Sequence, residues 1–288
     1  MTYSASSPAI LILGATSLVG EHLFATLPEN NRVYCFSRRK PSHRTASAQF
    51  SWHNIEELQD NACDFVGDAV IVSLMPFWVL PSLLPCFEGA RQLIAFSSTS
   101  VFSKVDSQDP AEQSLAAGLR STEREMQTFC RTNDIACTIL RPTLIYNEGH
   151  DKNVSAVARF IDRWGFFPIA YPGRGLRQPV HAGDLATAVS AAIDNSGAYN
   201  RAFNLGGGET LSYRAMIEKI FRAMKKKPRI LPLPDYLPAT GLRLFNIVAR
   251  TEYSPNLFSR MNQDLVFDWS EAQTTLGYQP RPFDPSFD

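Results

Sequence analysis

A doubly wound α/β fold is what this chain of 288 residues predicts: a parallel sheet with helices on both faces, joined to a smaller C-terminal α/β domain. Three observations predict it. Near-continuous apolar runs recur with helical segments between them, the pattern of parallel strands buried on both faces. The first run, Ala9-Ile10-Leu11-Ile12-Leu13, leads at once into a glycine turn and a further apolar segment. A helical period of apolar residues at Met216, Ile217, Ile220, Phe221 and Met224 appears well beyond the last of these runs.

Taken in order, residues 9–13 form the first strand, and residues 18–27 the helix that leaves it. Strands follow at 32–36, 68–74 and 92–97, then a helix over 112–133 and a strand at 136–140. Short strands are expected at 178–181 and 202–205, with a helix over 185–193 between them. The helix over 212–227 closes on three lysines and Pro228, a favourable C-terminal signal. Residues 228–238, rich in proline, read as an irregular connection. The expected division is a larger domain from 1–146 and 178–204, and a smaller one from 147–177 and 205–288.

The 28 basic and 28 acidic residues cancel, so net charge gives no support to a nucleic-acid surface. The cysteines, Cys35, Cys63, Cys86, Cys130 and Cys137, are odd in number and include no C-x-x-C pair. That pattern suits buried, reduced thiols and offers no metal site. Residues 1–8 lack a basic, apolar leader pattern, and prolines interrupt the longest apolar stretch, 70–84. The expectation is a soluble, cytoplasmic protein, for which an oligomer is compatible.

The turn Gly14-Ala15-Thr16-Ser17-Leu18-Val19-Gly20 carries the clearest chemistry. Between a buried strand and a helix N-terminus, backbone N–H groups and the helix dipole suit a dinucleotide pyrophosphate. Gly14 permits the tight turn, Gly20 lets the helix approach the sheet, and Ser17 stands at the middle glycine position of the usual motif.

Five stretches together resemble the extended short-chain dehydrogenase/reductase superfamily, in its NAD-dependent epimerase/dehydratase branch. They are the glycine turn; Phe96-Ser97-Ser98-Thr99-Ser100-Val101-Phe102; Arg141-Pro142-Thr143-Leu144-Ile145-Tyr146; Pro179-Val180-His181-Ala182-Gly183-Asp184-Leu185-Ala186; and Phe203-Asn204-Leu205-Gly206. The tail, from Asp268-Trp269-Ser270 to Pro280-Arg281, is similar to the closing segment of extended members. The resemblance implies a Rossmann domain and a smaller domain closing over a substrate, often a sugar nucleotide. By the same analogy Thr16, Ser17, Leu18 and Val19 hold the cofactor phosphates, and Leu74 and Met75 line its adenine or ribose side. Ser97, Ser98, Pro142, Thr143 and Leu144 lie along the nicotinamide half.

Basic residues follow the second strand in Ser37-Arg38-Arg39-Lys40, and no carboxylate occurs between Glu29 and Glu56. A free ribose hydroxyl calls for a carboxylate there, whereas a 2′-phosphate suits Arg38 and Arg39. NADP(H) is therefore favoured over NAD(H).

The resemblance also implies a tyrosine four residues before a lysine, whose cation helps the phenol exchange a proton with substrate. No Tyr-x-x-x-Lys spacing occurs anywhere in the chain, and gapless placement puts Ala116 and Arg120 at those positions. The family's third catalytic position survives as Ser98 or Thr99, able to orient a substrate oxygen or, equally, to satisfy backbone groups at the strand end. Tyr146, His181 and Asp184 are the other candidates for proton transfer, His181 and Asp184 being equally readable as packing and helix-start residues. On the substrate side Arg174 and Arg177, flanked by Gly173 and Gly175, suit an anion, with Arg159 and Arg163 as helpers. Trp164, Phe166, Phe167 and Tyr171 offer a bulky lining, and residues 242–248 an apolar face.

Two functions fit. One is an NADP(H)-dependent oxidoreductase or epimerase-like enzyme on a small or nucleotide-linked carbonyl or hydroxyl compound, with a non-standard proton donor. The alternative is a non-catalytic, cofactor-binding assembly or redox-sensing protein, the use made of this fold by the Rossmann-type accessory subunit of respiratory complex I.

Overall fold

The computed structural model describes residues 8–38, 49–107, 109–234 and 260–287. The larger layer contains β1 (Ile10–Leu13), α1 (Leu18–Leu23), β2 (Val33–Ser37), β3 (Phe50–Asn54), α2 (Ile55–Asp60), β4 (Val70–Ser73) and β5 (Gln92–Phe96). It continues through α3 (Ser100–Ser103), α4 (Pro110–Thr132) and β6 (Ala136–Pro142). After β7 (Ile145–Tyr146), α5 (Val154–Trp164), β8 (Phe167–Ala170) and β9 (Leu176–Arg177), the chain returns through β10 (Val180–His181), α6 (Ala182–Ala192) and β11 (Arg201–Leu205). The last described elements are β12 (Leu211–Ser212), α7 (Tyr213–Ala223), β13 (Ile230–Leu233) and α8 (Ser270–Leu276). None of these helices is long and apolar enough to cross a membrane.

Seven strands form one sheet in the order β11-β6-β5-β4-β1-β2-β3, and every neighbouring pair is parallel. Strand order reverses between β1 and β4, where Leu13 registers with Ser73. In such sheets the ligand crevice opens beyond the carboxyl ends of the strands at this reversal.

Alternation along the strands distributes their side chains between two cores. Ile10 and Ile12 of β1 and Val70 and Val72 of β4 pack with α1 and α6 on one face. Leu11, Leu13 and Ile71 pack with α4 and the 3₁₀ segment Phe77–Phe87 on the other. A third core joins α5, α7 and β8 through Ile161, Ile217, Phe221 and Ile169.

Several elements differ from expectation for local reasons. Helix α1 stops at Leu23, and Ala25 and Thr26 turn back to His22 and Leu23 with the tighter three-residue spacing. Asp109 accepts from the Ala111 N–H at 2.9 Å and Pro110 occupies the first turn, so α4 begins two residues earlier than its apolar pattern. The proline-rich segment expected to be irregular contains β13, paired in parallel with β8. Pro232 is tolerated because β13 is an edge strand with one partner. Strand β3 went unread in the sequence, since its half-buried Phe50, Trp52 and His53 show no continuous apolar run. The tail also departs from the expected division. Ala272, Leu276 and Tyr278 pack into the core of the large sheet, so α8 belongs with that layer.

A Cβ on Gly20 would lie 2.4 Å from the Ala15 carbonyl oxygen, closer than any side chain can approach without backbone movement. Gly20→Ala is expected to cost about 1–3 kcal/mol, measured by urea unfolding, whereas Gly118→Ala, with open space around it, should not destabilise.

Candidate functional site

A cleft of about 640 Å³ occupies the reversal point of the sheet. Ser17, Leu18 and Val19 form its floor, and Leu74 and Met75 at the end of β4 form one wall. The turn is built by close approach. Gly14 has φ +75°, and a Cβ there would sit 3.1 Å from the Leu74 carbonyl carbon. Ser17 caps α1, its Oγ accepting from the Gly20 N–H at 3.2 Å. The first-turn N–H groups of a helix have no intrahelical acceptor, so those of Leu18 and Val19 suit an anion in the cleft. Thr16 is exposed at the outside of the turn.

Ser97, Ser98 and Pro142 line the far end of the cleft. Ser98 Oγ accepts from the Ser100 N–H at 3.1 Å and so helps start α3. Thr99 Oγ1 donates to the Pro142 carbonyl at 3.1 Å and faces an adjoining cavity. Ser97 differs from both: it is 8% exposed, and its hydroxyl has no partner among the described residues. A buried hydroxyl without a hydrogen bond is costly, which makes this oxygen a fitting contact for a polar ligand.

Helix α4 supplies the opposite wall through Leu115 and Leu119, one turn apart. Ala116 is buried away from the cleft, and Arg120 donates through Nε to the Val101 carbonyl at 3.1 Å. The gapless placement of Ala116 and Arg120 is thus displaced by one residue from the pair that faces the cleft.

Two smaller cavities, about 240 and 210 Å³, adjoin the cleft and share Leu144, Asn153, Arg177, Arg260 and Leu265. Thr143 lines the smaller of them, and its hydroxyl donates to the Gln178 carbonyl. Thr143 and Leu144 therefore border the adjoining cavities, not the main cleft. Arg177 is buried and donates to the carbonyls of Leu176 and Gln263 at 2.8 and 2.7 Å, and to that of Arg260. Burial lowers its pKa to about 10, the Tyr213 ring opposing that shift. Its role is to brace the segment around Arg260, with little capacity left for a ligand. Arg174 is exposed, its backbone N–H held by Asn262 at 3.2 Å, and its side chain lines none of these cavities. The cations that do line them, Arg260, Lys104 and Lys152, have no recognisable sequence pattern. Arg260 and Lys104 meet at Glu112, at 2.7 and 3.3 Å. Partial burial disfavours the Glu112 carboxylate, but the Ser107 hydroxyl and these two cations outweigh it and hold its pKa below the usual range.

Residues 79–206 match the NAD dependent epimerase/dehydratase family. Over that span, less than half of its length, the chain is similar to this family. Its matches include a UDP-glucose 4-epimerase of Vibrio cholerae, 22% identical over 202 residues, covering 67% of this chain and 59% of the relative. A mitochondrial NADH dehydrogenase [ubiquinone] 1 alpha subcomplex subunit 9 of Arabidopsis thaliana is 30% identical over 99 residues, covering 34% of this chain and 24% of that protein. The chain thus matches about half or less of the length of several curated relatives, and 59% of the first. Among solved structures, a UDP-glucuronic acid 4-epimerase from Bacillus cereus, in complex with UDP-glucuronic acid and NAD, superimposes with TM-score 0.68 at 17% identity, covering 95% of this chain and 94% of that one. At that identity the likeness concerns the fold.

Within this fold, Tyr146 and His181 lie apart from the cleft. Tyr146 is 1% exposed, with its ring against His181 and Phe283 at centroid distances of 5.2 and 5.1 Å. Burial, then the nearby Glu148 and Asp184 carboxylates, push its phenol well above the usual range. His181 caps α6, Nδ1 accepting from the Gly183 N–H at 2.9 Å, which leaves Nε2–H for Glu148 at 3.2 Å. Asp184 pairs with Arg281 at 2.8 Å in the first turn of α6, as a helix-start carboxylate. Ser37 is buried at the end of β2 and Arg38 is exposed beside it; Arg39 and residues 242–248 lie outside the described residues.

Burial, then the Arg281 cation, depresses the His181 pKa below 6.5, with His22 in the same direction and Glu148 and Asp184 opposing. The unfolded chain therefore binds a proton before the native one does as pH falls. The stability this neutral imidazole contributes is present above about pH 6.5 and is lost on acidification through the folded value. Between pH 7.5 and 5.5 urea unfolding should show a larger loss for wild type than for His181→Asn, which retains a capping oxygen. Equal losses would remove His181 from the pH dependence.

Proposed function

We propose that the cleft holds a nicotinamide dinucleotide, NADP(H) in preference to NAD(H), and that the protein is an oxidoreductase or epimerase-like enzyme. Its substrate is a small or nucleotide-linked carbonyl or hydroxyl compound seated in the adjoining cavities. The observation that carries this reading is the unpartnered Ser97 hydroxyl at the far end of a cleft whose near end is a glycine turn. The donor set suits the group from end to end. The Leu18 and Val19 amides, with Ser17 beside them, suit the phosphates, and Leu74 and Met75 offer an apolar wall to the adenosine. Ser97, Ser98 and Pro142 suit the carboxamide half. A bound nicotinamide supplies or accepts a hydride; the chain orients the two ligands and keeps water from the junction between them.

The preference for a 2′-phosphate rests on Arg38. Strand β3 adds no free carboxylate at this edge: Asn54 registers with Ser37, and Glu57 is bonded to the Asn54 N–H and His53, both at 2.9 Å. Solved relatives are described with NAD, which is a property of those proteins. In the adjoining cavities Lys104, Arg260 and Glu112 leave one net positive charge, and Lys152 and Arg177 add two more, so an anionic substrate is favoured. In this reading residues 147–177 and 205–234, with Arg260, form the substrate-covering part.

A second reading is favoured by one observation. Leu115 and Leu119 stand one helical turn apart where the cleft would see a proton-transferring pair, and neither can carry a proton. A non-catalytic assembly or redox-sensing protein that keeps the dinucleotide bound is compatible with that wall.

Fluorescence titration with NADPH and NADH tests the cofactor assignment. Arg38→Ala should weaken NADPH at least about tenfold and NADH less than about twofold, since only the former loses a charge-assisted bond. Ser97→Ala should weaken both by about fivefold, the worth of one hydrogen bond. Equal losses in Arg38→Ala would overturn the NADP(H) preference, and no binding of either coenzyme would overturn the cleft itself.

A further inference from the structure

We propose that Lys152 is the proton donor that replaces the absent tyrosine, an inference that rests on the oxidoreductase reading above. It follows from what the other groups around the cleft are already doing. Ser98 and Thr99 are committed to backbone partners, and Leu115 and Leu119 carry no proton. Lys104 is paired with Glu112, and the arginines keep their protons at neutral pH. The loop between β7 and α5 brings His150, Asp151 and Lys152 to the cleft. Asp151 is 1% exposed, and its carboxylate accepts from the N–H groups of Asn153 at 2.7 Å and Ser155 at 3.1 Å. It also holds the Ser155 hydroxyl, so it fixes the loop and is spent in doing so.

Lys152 is the residue framed by that anchor. Asp151 bonds across it to Asn153, and the Asn153 amide donates to the Ile145 carbonyl at 3.0 Å. The backbone on both sides is thereby pinned, while the side chain is exposed and makes no ion pair among the described residues. Lys152 lines both the cleft and the 240 Å³ cavity, whereas His150 lines only the cleft. Lys152 therefore stands where the 240 Å³ cavity adjoins the cleft, between the place proposed for a substrate and that proposed for a dinucleotide.

In the reducing direction a reduced dinucleotide held at the glycine turn and Ser97 would supply a hydride to the carbonyl carbon, the C=O π pair moving onto oxygen. As the new O–H bond forms, the Nζ–H bond of Lys152 breaks, leaving a neutral amine. That amine is exposed and regains a proton from solvent. Oxidation of an alcohol runs the same exchange backwards, with the neutral amine as base.

The test compares full-length wild type, Lys152→Met and Lys152→Arg. NADPH affinity is read by fluorescence, and turnover on a panel of aryl and aliphatic aldehydes and 4-keto nucleotide sugars. Lys152→Met should bind NADPH within about threefold of wild type yet lose about 100-fold or more in kcat. Lys152→Arg keeps the charge but not the readily released proton, so its KM should stay near wild type while kcat remains low. Propylamine should restore part of the rate to Lys152→Ala. Independently of turnover, acetylation of Lys152 followed by mass spectrometry should slow at least about fivefold when NADPH fills the cleft. Full kcat in Lys152→Arg or Lys152→Met would overturn the assignment, as would NADPH binding without turnover in wild type or without protection of Lys152. In those cases the cleft reading stands; failure of wild type to bind NADPH at all would overturn both.

Discussion

The molecule depends on two backbone approaches at the reversal point of its sheet. Gly20 lets the first turn of α1 lie against the Ala15 carbonyl, and Gly14 brings the end of β1 against Leu74 at the end of β4. A Cβ at Gly20 would collide with the Ala15 carbonyl oxygen, and Gly14 holds a left-handed φ of +75° that side chains disfavour. Together they close the joint between the two halves of the sheet while leaving N–H groups of the α1 first turn facing the crevice. Packing and recognition thus share one constraint: the close approach that completes the core also exposes the donors an anion needs.

The walls of the crevice divide binding from chemistry. Floor and far end are polar enough for a dinucleotide, through first-turn amides and the Ser97 hydroxyl. The α4 wall is aliphatic at Leu115 and Leu119, so any proton traffic must come from the other side. That side is the loop held by the buried Asp151 carboxylate, and the cations of the adjoining cavities stand just beyond it. This chain shares its fold with solved epimerases, while the wall that α4 offers the cleft is aliphatic. Fold and chemistry are separable for this reason: the sheet and its turn do not require any particular residue on α4.

Much of the fold was legible because its signals are local. Parallel strands buried on both faces leave unbroken apolar runs such as Ile10–Leu13 and residues 93–96. Beside them, the glycine turn reports a conformation that few other residues adopt. Strand β3 escaped because an edge strand with a half-buried face carries polar and aromatic residues alike. Ser97, Ser98 and Pro142 line the cleft at strand ends whose position the sheet dictates. Tyr146, His181 and Arg177 met a different fate. Their chemistry suggested function, yet Tyr146 is a core ring, His181 a helix cap and Arg177 a brace for backbone carbonyls.

By itself the sequence determined the doubly wound sheet, the glycine turn at its reversal and the lack of any Tyr-x-x-x-Lys spacing, because each depends on residue type at fixed local spacing. Only the tertiary structure decided which face of α4 lines the cleft, a one-residue question that helix rotation settles. It alone brought Arg260 to Glu112 across 148 positions of sequence, beside Lys104, and set Lys152 between two cavities. A cation's value to a site lies in what surrounds it, and side chains far apart along the chain acquire common surroundings only when the chain packs.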